Sequence, residues 1–194
     1  MATLFERATR LITEPGSTWT IIRDEPADRQ ALLMGYVVPL AAIPPIASVL
    51  GHLLMVMPGM RHTGFGAVFT GAFVSFILSI AGVFVFAFIL NALATTFGAR
   101  RNFDRAFKVA AYTPTATWLA GIFNLIPILS IFSLLGLYSL YLLFVGNPKL
   151  MEPAPEKATA YTVTALVAAL IFAFIIGTIQ TAIMFGPGGP MMPR

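Results

Sequence analysis

The sequence predicts an all-α protein, a polytopic membrane bundle of five transmembrane helices led by an N-terminal amphipathic interfacial helix. Three observations predict it. Of the 194 residues, 58% are apolar and only 10% charged, and the mean hydropathy is +0.85, too apolar for an ordinary soluble domain. Long runs carry no Asp, Glu, Lys or Arg at all. The twelve basic residues gather between those runs instead of forming one dense patch, so the net charge of +4 does not point to nucleic acid. Cysteine is absent, which excludes a disulfide framework, a thiolate metal site and a cysteine nucleophile.

Residues 1–30 form a cytoplasmic amphipathic arm. On a helical wheel at about 100° per residue, Leu4, Phe5, Ala8, Leu11 and Ile12 share one arc, and Glu6, Arg7, Thr9, Arg10 and Glu14 the other. Pro15-Gly16 ends this helix. Its apolar face either lies in the lipid interface or packs on the protein's own helices; Trp19, Ile21 and Ile22 offer a second interfacial anchor. The opening residues lack a cleavable secretory layout, since Glu6 intervenes early, and an uncleaved chain is expected.

Residues 31–185 form the transmembrane domain, because a helix needs about 20 mostly apolar residues to cross the hydrocarbon. The first crossing runs from Ala31 to about Met57, the second from about Phe65 to Phe97 and the last from about Ala160 to Phe185. Between them, Val109 to Val145 would make a helix of roughly 55 Å, too long for a core of about 30 Å. It must fold back, and Pro127 between Asn124 and Ser130 marks the turn. Pro39, Pro44 and Pro45 predict a kink or break in the first crossing, while Gly71, Ser75, Ser79 and Gly82 suit close packing along the second. Residues 186–194 make a flexible tail, with Gly186-Pro187-Gly188-Gly189-Pro190 at its start.

With five crossings, Arg7, Arg10, Arg23, Arg29, Arg100, Arg101, Arg105, Lys108, Lys149 and Lys157 share one face, and Arg61 and Arg194 the other. The excess marks the cytoplasmic side and places the N-terminus inside and the C-terminus outside.

Chemistry-bearing patterns are sparse. No Asp, Glu, Lys or Arg falls inside a crossing, which argues against a proton-driven pump. His52 and His62 flank the first external loop without a nearby carboxylate and read as ordinary interfacial histidines. No nucleophile sits beside a base, and no H-E-x-x-H, G-x-S-x-G or P-loop pattern occurs, so neither an enzyme nor a metal or cofactor is expected. Tyr36, Tyr112, Tyr138 and Tyr141, with Pro39, Asn91, Thr113 and Pro114, could line a polar pocket or path open to the cytoplasm. An aromatic belt with interhelical hydrogen bonds explains the same residues. Arg7, Arg10, Arg100, Arg101, Arg105 and Lys108 form a candidate surface for lipid or a partner protein.

Three short stretches stand out, Gly35-Tyr36-Val37-Val38-Pro39-Leu40, Ala111-Tyr112-Thr113-Pro114 with Trp118-Leu119-Ala120-Gly121-Ile122, and Ser139-Leu140-Tyr141 running to Gly146-Asn147-Pro148-Lys149. In order and spacing they resemble the Yip1 domain family, in its bacterial inner-membrane branch. The arm, with Pro15, Trp19 and Glu25-Pro26, has the same look, and the resemblance covers roughly residues 5–183. It implies five crossings with the N-terminus in the cytoplasm. Eukaryotic relatives act in membrane traffic with small GTPases of the Rab type; this chain has a short arm and no D-L-x-G-P element, so that role does not carry over. The expected function is non-enzymatic organisation of membrane lipid or partner proteins, in a form that could self-associate. The alternative is a channel or permease for an ion or small neutral solute through the proline-broken first helix.

Overall fold

The computed structural model describes residues 3–54 and 65–185, and every regular element among them is helical. His62, Arg61 and the 186–194 tail lie outside the described residues.

Two short helices form the arm, α1 (Leu4–Thr13) and α2 (Pro15–Asp24). Thr3 caps α1 by accepting from the Glu6 amide, and Pro15 opens α2 where its missing N–H is harmless. The apolar face of α1 packs on the protein's own helices, with Ala8 and Leu11 buried in the core. Trp19 and Ile22 are also fully buried and are core residues of the bundle, while Ile21 stays exposed. The reason is steric fit. The Trp19 ring lies against Gly146, where a Cβ would come within 2.4 Å of it, and meets Tyr112 edge-on at 6.0 Å.

The first crossing, α3 (Arg29–Leu54), starts at Asp28, whose carboxylate accepts from the Ala31 amide at 2.9 Å. It widens to a π-helix over Leu33–Val37 and turns at Ala42. Proline explains both irregularities: Pro39, Pro44 and Pro45 cannot donate to the preceding turn, and their rings crowd its carbonyls. The second crossing, α4 (Phe65–Phe97), ends at Gly98, whose φ of 74° closes the helix in the left-handed region.

Asn102 caps α5 (Phe103–Tyr112), which breaks at Thr113-Pro114 and resumes as α6 (Thr115–Ala120). The chain then passes through 3-10 turns at Gly121–Leu125 and Pro127–Leu137, with the fold-back at extended Ile126. Helix α7 (Tyr138–Met151) returns, and α8 (Ala158–Phe185) closes the bundle. Among the described residues, four helices are long and apolar enough to cross a membrane: Arg29–Leu54, Phe65–Phe97, Ile128–Met151 and Pro155–Ile175. Residues 109–125, the expected third crossing, are thus the last turn of α5, α6 and a 3-10 turn, because Pro114 cannot extend α5.

Close approaches hold the helices in place. Gly121 abuts Pro44, Gly51 abuts the Asn124 and Leu125 carbonyls, and Gly136 abuts Thr117; at Gly82, by contrast, a Cβ would meet nothing. Polar ties supplement them. Trp118 Nε1 donates to Ser79 Oγ at 3.0 Å, Asn147 Nδ2 to Thr162 Oγ1 at 3.0 Å, and Tyr161 Oη to the Leu90 carbonyl. Phe84–Phe107 and Phe97–Tyr161 ring contacts join α4 to α5 and α8.

Candidate functional site

Every charged side chain among the described residues lies in residues 6–29, 100–108 or 149–157, and the fold gathers these three segments on one face. Arg29 Nε meets Asp104 at 3.0 Å, Arg105 Nη1 meets Glu152 at 2.7 Å, and the Ala154 amide donates to the Phe97 carbonyl at 3.2 Å. Lysines from two segments fasten the arm. Lys108 donates to the Ile22 and Glu25 carbonyls at the end of α2, and Lys149 donates to the Gly16 carbonyl near its start. Lys108 thereby satisfies carbonyls that the C-terminal end of α2 leaves unpaired, while Lys149 shares the Gly16 carbonyl with Thr20 Oγ1.

A cleft of about 360 Å³ opens on this face between the arm, the first turns of α3 and α5. Its floor is aromatic: Tyr36, Phe107 and Tyr112 line it, with the two tyrosine rings 4.6 Å apart. Thr115 Oγ1 gives its proton to the Tyr112 carbonyl at 2.6 Å, so Tyr36 Oη donates to Thr115 Oγ1 at 2.8 Å. One wall is apolar, from Leu4, Ala31, Leu32 and Gly35. The rim carries three cations, Arg7, Arg29 and Lys108, and three carboxylates, Glu25, Asp28 and Asp104. Arg7 pairs with Glu25, and Arg29 with Asp104 while also lying 5.6 Å over the Phe103 ring.

Residues expected in two separate places therefore meet in one cleft. Tyr36 and Tyr112 come from the expected polar path, Arg7 and Lys108 from the expected basic surface. The other path residues lie elsewhere. Pro39 is exposed, and Asn91 is half-buried on α4, with no hydrogen-bond partner for its buried Oδ1 among the described residues. Thr113 is buried at the α5–α6 break, which Pro114 imposes. Tyr138 donates to the Ile12 carbonyl at 2.9 Å, tying the returning hairpin to α1, and Tyr141 beside it is half exposed.

The basic surface also divides. Arg100 and Arg101 are exposed and make no ion pair among the described residues. Arg10 is held by Glu6 at 2.7 Å on the same helix, and Arg105 is tied to Glu152 and to the Leu150 carbonyl at 3.1 Å. Sequence reading missed Glu25, Asp28, Arg29, Asp104 and Gly35 as cleft residues. Their contribution depends on pairings up to 75 residues apart, as in Arg29–Asp104, for which local pattern carries no signal.

A second cavity of about 320 Å³ lies between α3 and α4 and is lined only by apolar residues, among them Pro45, Ile46, Phe69, Phe73 and Phe76. Comparison with known families matches residues 9–177 to a family model described as the Yip1 domain. No curated protein and no solved structure matches the chain.

Proposed function

The chain belongs to the Yip1 domain family, and from that premise we propose that this multi-pass membrane protein is non-enzymatic and organises membrane lipid at its charged face. The observation that carries the reading is the cleft: the two segments expected to contact lipid, the arm and residues 100–108, build it jointly, beside the first turns of a membrane crossing. Arg100 and Arg101 extend the same face with unneutralised charge. Each basic residue near an anionic membrane surface gains about 1 kcal/mol, so the pair biases the surrounding lipid without selecting one species.

The charged face is the cytoplasmic one on this reading, in a bacterial inner membrane, with the N-terminus inside. Five crossings follow from parity. Residues 100–108 and 149–157 are tied together, so the chain between them leaves the face and returns, and if Ile128–Met151 spans the bilayer then residues 109–125 must span it too.

A permease through the broken first helix is the competing reading. Protein atoms fill that break, since Pro44 packs on Gly121 and Tyr36 is hydrogen-bonded to Thr115, which favours the lipid reading. The deciding experiment reconstitutes the full chain in nanodiscs of mixed phosphatidylglycerol and phosphatidylcholine and measures the lipid retained around it. Arg100→Gln with Arg101→Gln should lower phosphatidylglycerol enrichment severalfold; unchanged enrichment there, or solute flux above the empty-liposome level when the full chain is reconstituted in sealed liposomes, removes the proposal.

A further inference from the structure

Lys108 is 8% exposed and lines the cleft, yet no carboxylate lies within ion-pair distance of it among the described residues. Its ammonium has three N–H donors. Two go to the backbone carbonyls of Ile22 and Glu25; one remains. A buried cation held by neutral carbonyls alone is unfavourable, because the carbonyls replace water without supplying the opposing charge. The other two cations of the rim are already matched, Arg7 by Glu25 and Arg29 by Asp104.

We infer that the cleft binds the phosphodiester of a membrane phospholipid, with the free donor and charge of Lys108 directed at the phosphate. Resting on the membrane-surface reading of this face, the inference adds the site and its ligand. Three features select a lipid phosphodiester. Glu25 and Asp104 neutralise Arg7 and Arg29, and Asp28 adds a further carboxylate to the rim, so Lys108 offers a phosphate one positive charge and the rim holds no excess for a polyphosphate. The wall of Ala31, Leu32 and Gly35 belongs to the opening turns of a membrane-crossing helix, which sets the cleft at headgroup depth. Phe5 and Met34, on the arm and that crossing, are 78% and 62% exposed, apolar surface suited to glycerol and acyl groups and not to a water-soluble anion.

The position that tests it without disturbing the arm is Gly35. A Cβ built there meets nothing within 4 Å, so Gly35→Phe adds a ring to the cleft wall and leaves Lys108 and its carbonyls in place. The full chain in detergent is titrated with dihexanoyl phosphatidylglycerol, followed by thermal unfolding, with inorganic phosphate as the soluble control. The lipid should raise the unfolding temperature of the parent chain. Gly35→Phe and Lys108→Met should each weaken that response roughly tenfold, as loss of one charge-assisted contact does, and Lys108→Arg should keep it. Equal lipid response in Gly35→Phe and the parent overturns the cleft assignment. A response to inorganic phosphate as strong as to the lipid overturns the lipid assignment. Failure here with enrichment still dependent on Arg100 and Arg101 leaves the surface reading standing, so the two fail separately.

Discussion

Arg100, Arg101 and Arg105 are neighbours in a loop, and their surroundings assign them different work. Arg105 reaches the Leu150 carbonyl and Glu152 and fastens the 100–108 segment to the end of α7; among the described residues Arg100 and Arg101 make no ion pair. Arg105→Ala should therefore lower thermal stability in detergent by about 1 to 2 kcal/mol, the value of a charge-assisted hydrogen bond with part of its exposure discounted. Arg100→Ala and Arg101→Ala should leave the melting temperature unchanged. Equal melting of all three variants would show that the Arg105 tie is idle.

Lys108 carries a pH dependence. Burial is the main cause that lowers its pKa from the ordinary 10.5, and Arg105 pushes the same way, while Glu25, Asp104 and Asp24 oppose it. Because folding penalises the charged form, this group's contribution to stability rises with pH between the lowered pKa and 10.5. Phosphate retention runs the other way: it needs the charged form and falls as pH passes through the lowered pKa. In a pH series of lipid retention, Lys108→Arg should move that fall upward, since a guanidinium stays charged; an unmoved curve would assign the titration to another group.

At the scale of elements, the arm is part of the bundle. Trp19 occupies the space that Gly146 leaves, and Lys149 and Lys108 hold α2 near its start and at its end. Gly146→Ala would drive a Cβ to 2.4 Å from the indole, inside any real contact, so the arm must shift; overpacking of this kind costs about 1 to 3 kcal/mol. Limited proteolysis at Arg23 should become faster in Gly146→Ala and in Trp19→Ala. Cleavage at the parent rate in both would mean that the arm is held by its lysines alone. The α3 break belongs to the same scale: three prolines foretold an irregular helix, and the π-turn at Leu33–Val37 is the form it takes. How the bundle fills that break, with Pro44 on Gly121, needed the partner helix to be in place.

For the whole molecule, the separation of charge from apolar surface is the governing property. Burial within the chain takes only 28%, 17%, 22% and 17% of the most apolar stretches of the four long helices. Ile128, Leu170 and Phe174 are among the large residues left open, at 83%, 58% and 74%, so lipid or further copies of the chain must cover them. The absence of native cysteine makes topology directly measurable. Glu156→Cys should react with an impermeant maleimide only from the charged face, and Ser130→Cys only from the opposite one. If Ser130→Cys is labelled from the charged face, or from neither, residues 109–145 dip into the bilayer without crossing it, and the five-crossing proposal falls.

The sequence by itself determined the helical class, the long apolar segments, the fold-back near Pro127 and the sorting of every charged residue but Arg61 and Arg194 into three segments. These follow from local quantities, since hydropathy, proline and charge act over one or two turns of chain. Only the tertiary structure decided that the arm packs into the core, that Arg105 is a tie while Arg100 and Arg101 make no ion pair among the described residues, and that Tyr36, Tyr112, Arg7 and Lys108 share a cleft. Those outcomes depend on shape fit and pairing between segments about 30 to more than 100 residues apart, such as Trp19 against Gly146. A helix face records that it is apolar, and it holds no record of which surface will cover it.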